Sequence, residues 1–139
     1  MTAIRKQVTR EIVAVNAESS MREAARLMDE RRIGSVAVRE GNRLLGLVTE
    51  RDLMLAVCAH GKDTFRPVRD AVRSDIPRVH PSTHESEVAS IMRDHTTRHL
   101  LVEEGGDVVG IISMRDIIQL MIDEKEFVIG QLQTYIEGR

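Results

Sequence analysis

The segment Gly46-Leu47-Val48-Thr49-Glu50-Arg51-Asp52-Leu53 returns as Gly110-Ile111-Ile112-Ser113-Met114-Arg115-Asp116-Ile117, at a constant offset of 64 residues. The same offset lays Val15 on Val79, Glu23 on Glu87, Ala25 on Ala89, Met28 on Met92, Val38 on Val102 and Gly41 on Gly105 without a gap. Register held over that length is the mark of a duplicated structural unit. In a chain of 139 residues each copy is too small to bury a good core alone, so the two halves are expected to share one.

One copy can be read element by element. Ile12 to Val15 is a short β-rich run, and Ser20-Met21-Arg22-Glu23 carries the Ser-x-x-Glu pattern of a reciprocal capping box that opens a helix. Ala24, Leu27, Met28 and Ile33 recur at helical spacing, with the charged run Asp29 to Arg32 on the solvated side. Ser35 to Val38 and Leu44 to Val48 flank the turn-forming pair Gly41-Asn42 and predict a hairpin whose third strand is the first one, reached by a helical crossover. Leu53, Leu55 and Val57 then begin a second helix. The second copy predicts a strand over Pro77 to Val79, a helix over Glu85 to His95, and a hairpin around Gly105-Gly106. Between the copies Ala59 to Pro67 is a polar linker with breakers, followed by a short helical turn around Val68 to Val72. After Asp116 the residues Ile117, Ile118, Met121, Ile122, Val128, Leu132 and Tyr135 predict a long amphipathic helix. Gly130 weakens that helix by about 1 kcal/mol relative to alanine and is a candidate break. Its apolar stripe needs cover, either from a second copy of the chain or from its own domain.

Charge and composition exclude several functions. A net charge of -2 offers no field to gather nucleic acid or an anionic membrane surface. Phe65, Phe127 and Tyr135 are the only aromatic residues, too few for a base-stacking platform. The single Cys58 cannot form an internal disulfide, and Met1 to Lys6 lacks the apolar run of a secretory signal, so a reducing cytoplasm is the expected location. Neither repeat holds a nucleophile elbow, a P-loop or a zinc-protease signature, and the chain is expected not to be an enzyme. His80 and His84 have metal-like spacing, but Pro81 breaks a continuous helix through them, so no metal is assigned. The methionines Met21, Met28, Met92, Met114 and Met121 read as adaptable core or cleft filler.

Thr49-x-x-Asp52 and Ser113-x-x-Asp116 each stand where a strand becomes a helix. A hydroxyl at the N-cap and an acid three residues later stabilise a helix start by themselves. Capping does not explain why Arg51 and Arg115 precede the acid in both copies, or why a glycine stands three residues before each hydroxyl. In a ligand site the free N–H groups, the hydroxyl and the arginine suit a phosphate, while an ionised carboxylate suits the two hydroxyls of a ribose.

The duplicated unit ending in Gly-hydrophobic-hydrophobic-Thr/Ser-x-Arg-Asp resembles the cystathionine-β-synthase (CBS) domain, from about Thr9 to Met121. The resemblance implies an α+β fold of two β-α-β-β-α repeats packed sheet to sheet as a pseudo-twofold pair, a stand-alone Bateman module. The domains are then repeat 1 over 8–58, a linker over 59–71, repeat 2 over 72–122 and a helical tail over 123–139. The implied function is a regulatory module that senses adenosine nucleotides (AMP, ADP or ATP) in clefts between the repeats, with no cofactor required. By the same resemblance Asp52 and Asp116 hold ribose, and Thr49 and Ser113 lie near ribose or phosphate, beside Arg51 and Arg115. Val15, Val79 and Pro81 line adenine through their backbone, and Arg98 and His99 face phosphate. The first repeat has Gly34 and Ser35 in place of the last two, so the two sites should not be equivalent. Ala37 and Leu101 stand where the family often has proline. The expected partners are the nucleotide, a second copy in a homodimer and a regulated protein, with no nucleic acid and no membrane. The alternative is a dimerisation or scaffold protein with empty clefts.

Overall fold

A computed structural model describes residues 3–4 and 11–137. The first residues of the expected repeat 1, 8–10, and the end of the tail, 138–139, lie outside the described residues. The chain forms two compact units, one over Glu11–Ile76 and the other from Pro77 onward together with Ala3 and Ile4. Each is built on a three-stranded sheet, giving a mixed α+β fold.

In the first unit β1 (Ala14–Asn16), α1 (Met21–Arg31), β2 (Ser35–Glu40), β3 (Arg43–Thr49) and α2 (Glu50–Met54) follow in order. The parallel pairing of β1 with β2 requires the α1 crossover, and β2 with β3 forms the antiparallel hairpin. The expected capping box at Ser20 forms by half: the Ser20 hydroxyl accepts from the Glu23 amide at 3.1 Å, without a return bond from the Glu23 side chain. The helix ends at Arg31 because Arg32 turns left-handed at φ 54°. Ile33 therefore reaches the core from the loop rather than from the helix face. Ala24 and Met28 of α1 pack with Val36, Val38 and Val48 of the sheet and Leu53 of α2 to make that core. After α2 the chain takes a π turn over Leu55–Ala59, and a 3-10 turn over Val68–Ala71 follows the linker. Arg69 of that turn donates to Glu18 and to Glu40, tying the turn to the first repeat.

The second unit repeats the plan with β4 (Arg78–Val79), α3 (Glu85–Asp94), β5 (His99–Glu104), β6 (Asp107–Ser113) and α4 (Met114–Glu137). Val38 faces Gly46 and Val102 faces Gly110, and the ladder slips by one residue just after each pair. The sequence offset thus survives as an identical hairpin register and bulge. Ile4 joins this unit through its amide, which donates to the Thr83 carbonyl at 3.1 Å. Met92, Leu100, Val102, Ile112, Ile117 and Leu120 are buried. The long C-terminal helix is continuous through Gly130, whose position has open space around it. Met121, expected as filler, is instead 43% exposed on α4. Among the described residues no helix is long and apolar enough to cross a membrane.

Two features decide stability locally. Leu47 exchanges backbone bonds with Arg73, at 3.1 and 2.8 Å, so the stretch after the 3-10 turn runs against β3. A Cβ on Gly46 would lie 1.9 Å from the Arg73 carbonyl oxygen and 2.8 Å from its carbon. Only a bare α-carbon permits that approach. The second feature is Glu85, a buried carboxyl at the first turn of α3. Burial pushes its pKa up, the hydrogen bond and charge of Glu124 on α4 push the same way, and His84 pulls back.

Gly46→Ala must therefore open the Leu47–Arg73 pair, at a cost of about 3 kcal/mol or more. Gly41→Ala, at φ +60° with nothing within 4 Å, should cost only about 1 kcal/mol. Urea midpoints of the two variants test this, and equal losses would refute the steric account. For Glu85 the folded-state pKa lies above the unfolded one. The stabilisation from its proton is complete below the unfolded value and is lost as pH rises through the folded value. Glu85→Gln should then be more stable than the parent at neutral pH and should remove that decline. Melting curves of both proteins from about pH 4 to 8 measure the difference, and parallel curves would sink the assignment.

Candidate functional site

Both strand-to-helix junctions are built from the same three hydrogen bonds. In the first, the Thr49 amide and the Thr49 hydroxyl each donate to Asp52 Oδ2 at 2.9 Å, and the Asp52 amide donates to Thr49 Oγ1 at 3.1 Å. In the second, Ser113 N and Oγ donate to Asp116 Oδ2 at 2.8 and 2.9 Å, and Asp116 N donates to Ser113 Oγ at 3.2 Å. Each is a capping box with an added bond from the hydroxyl to the carboxylate, all within one turn. All four side chains are half-buried.

Proton bookkeeping changes what these groups can offer. The single hydroxyl proton of Thr49 or Ser113 is committed to the carboxylate, so the hydroxyl presents a lone pair outward and not the donor expected from sequence. Asp52 and Asp116 each spend Oδ2 on the cap, and Oδ1 takes no protein hydrogen bond among the described residues. The outward capacity of these side chains is therefore that of an acceptor. Donors must come from Arg51 and Arg115, both exposed at the second residue of their helices.

A further backbone bond sets the neighbourhood. The Glu50 amide donates to the Gly34 carbonyl at 3.2 Å, and the Met114 amide donates to the Arg98 carbonyl at 2.8 Å. The residue entering the middle strand thus lies against the start of the motif helix in each unit. Ser35 pairs with Thr49, and His99 pairs with Ser113. The second unit consequently gathers Arg98, His99, Ser113, Arg115 and Asp116 at one end of its sheet, whereas the first has Gly34 and a buried Ser35 beside Thr49 and Asp52. Sequence reasoning missed Thr97, a buried residue whose hydroxyl donates to the His99 carbonyl at 3.1 Å and accepts from the His99 amide at 3.3 Å. The only signal was a threonine two residues before the histidine.

Val15 and Val79 do not join the motif of their own unit. Val15 pairs with Val38 on the opening strand, with β2 between it and β3, and Val79 pairs with Val102 in the same way. Pro81 is buried just beyond β4. His80 and His84 each turn Nδ1 back on a local serine: Ser82 N donates to His80 at 3.0 Å and Ser86 N to His84 at 3.1 Å. His84 is thereby the N-cap of α3. Among the described residues no group of three or more His, Cys, Asp or Glu is placed to hold a metal ion.

Comparison with known proteins accounts for this plan. The CBS domain matches residues 4–59 and again residues 68–123. The chain is 26% identical over 117 residues to CBS domain-containing protein YhcV of Bacillus subtilis (strain 168), covering 84% of each chain. Among solved structures, the CBS-domain containing protein ATU1752 of Agrobacterium tumefaciens superposes with a TM-score of 0.81 at 30% identity, over 86% of this chain and 99% of that one. A putative signal-transduction protein with CBS domains from Burkholderia ambifaria MC40-6 gives a TM-score of 0.81 at 31% identity, over 86% and 91% of the two chains. The repeated sheet, the repeated junction and these matches agree: the chain belongs to the CBS domain family and carries two copies of the domain.

Proposed function

We propose that this CBS pair is a sensor of adenosine nucleotides, with the ribose of AMP, ADP or ATP held at the Ser113–Asp116 junction and the phosphate side met by Arg98, His99 and Arg115. A CBS pair is generally a regulatory ligand-binding module. The observation that carries the finer reading is the acceptor character of the junction's side chains. A carboxylate oxygen without a protein donor, beside a hydroxyl whose proton is already committed, suits a ligand that brings its own O–H groups. A ribose diol does so, and a phosphate does not. The cations that a phosphate needs stand next to the diol position in the second unit.

The Thr49–Asp52 junction has the same acceptors but no basic residue at positions 34 and 35. It is assigned the weaker affinity, or a ligand with less negative charge. No reaction is proposed at either junction. Regulation then works by population shift: a ligand favours whichever arrangement of its contacts binds it better, and a regulated protein reads the difference.

The test is thermal unfolding with AMP, ADP and ATP on the parent protein, Asp52→Ala and Asp116→Ala. Ligand at a hundredfold excess over its Kd should add about 2.7 kcal/mol. Asp116→Ala should lose that increment and also about 1 kcal/mol of basal stability as a cap, whereas Asp52→Ala should lose only the cap contribution at this site. A 2′-deoxy nucleotide should bind about tenfold more weakly, in line with one lost hydrogen bond to a charged group. An increment that survives both alanine substitutions, or none with any of the three nucleotides, would discard the reading.

A further inference from the structure

α4 packs on its own unit through a row of side chains at helical spacing. Ile117 and Leu120 are buried, and Glu124, four residues further along the same face, is half-buried. From Lys125 to Glu137 every described side chain is exposed. Glu124 is therefore the last α4 side chain with any shelter, just past the end of the second CBS match at residue 123. An apolar residue would suit that place, yet a carboxylate stands there and meets another one.

The other is Glu85 in the first turn of α3, only 6% exposed and hydrogen-bonded through its side chain to that of Glu124. Two ionised carboxylates repel, and neither has a proton to donate, so this bond needs one proton held by the pair. Two polar atoms beside it are shielded from solvent and find no protein partner among the described residues, Glu85 Oε2 and His84 Nε2. The Ser86 amide donates to His84 Nδ1, so the neutral ring carries its proton on Nε2. The charged groups that face the pair come from three directions. Burial and Glu124 hold the proton on Glu85, while His84 and the N-terminal ammonium draw it off. Lys125 lines the same groove of about 470 Å³ with Met121, Val128 and Ile129, but it is exposed.

We infer that the proton shared by Glu85 and Glu124 is a latch on α4: with it the helix is held against the first turn of α3, and without it the stretch from Glu124 onward loses that hold while Ile117 and Leu120 stay packed. The geometry sets the sense of the switch. Loss of the proton puts two negative charges in contact, one of them buried, at the one sheltered point of a long exposed segment. The segment is therefore held in acid and released as pH rises through the value at which the folded pair gives up its proton. The latch uses none of the residues at the Ser113–Asp116 junction and is independent of the nucleotide reading.

Amide hydrogen exchange of the full chain from about pH 4 to 8, corrected for the intrinsic pH dependence of exchange, tests it. Corrected protection over residues 121–130 should fall about tenfold per pH unit between the unfolded and folded pKa of Glu85, while the amides of β5 and β6 hold theirs. Glu85→Gln and Glu124→Gln each supply an amide donor in place of the shared proton, and their corrected profiles should be flat. Glu124→Lys should reverse the slope, because the ionised Glu85 then attracts its neighbour. A flat profile in the parent, a fall that persists in both glutamine variants, or equal losses in α4 and in β5 and β6 would overturn the proposal.

Discussion

One carboxylate oxygen in each repeat, taking two hydrogen bonds from a single preceding residue, turns the last strand into a helix. Much of the surrounding structure is placed by that junction. It fixes where β3 and β6 end, and so which residue of the hairpin partner stands beside the motif: Ser35 in one unit and His99 in the other. It aims the following helix, whose first amide closes onto the carbonyl of residue 34 or 98. It also consumes the hydroxyl proton, which removes the donor that a reading by residue type assigns to Thr49 and Ser113. The structural and functional roles of the motif are therefore not competitors. The cap uses Oδ2, and the chemistry left over is what a ligand can meet.

Much of this was legible in the residues because the information is local and stated twice. The hairpins are marked by Gly41-Asn42 and Gly105-Gly106, and the 64-residue offset carries each element to its counterpart. The opening strands are Ala14–Asn16 and Arg78–Val79, and the Val13 and Pro77 carbonyls just before them still accept from the middle strand. What was not legible depends on groups far apart in sequence. The glycine before the motif allows close approach by a ligand or by another backbone, and at Gly46 it is the Arg73 carbonyl, far away in sequence, that takes the space. Glu85 is legible only as the first residue of a helix, and it is the fold that brings Glu124 against it. Gly130 was a plausible break by propensity, yet it falls on the polar arc of α4, where a missing side chain costs no packing.

The two copies share a backbone and differ in chemistry. Residues 34 and 35 are small in the first unit, and one of them is buried, whereas residues 98 and 99 add a guanidinium and an imidazole, with Thr97 fixing the backbone of the latter. Duplication gave two identical acceptor pairs, and the entry to the middle strand then set the charge beside each. The two junctions therefore share their acceptors and differ in the charge beside them.

The motif helices also diverge after their common start. α2 runs for five residues and then loosens into a π turn that ends at Ala59. α4 continues for 24 residues without interruption, so Asp116 near its beginning and Ile136 near its end belong to one rod about 30 Å apart at 1.5 Å per residue. A contact made near Asp116 and one made near Leu132 or Ile136 would bear on the same helix. The first repeat has no equivalent, since its motif helix ends before it could reach that far. The two motif helices thus share a start and differ in reach: one loosens within its own repeat, and the other carries an exposed apolar face beyond the end of the second domain match.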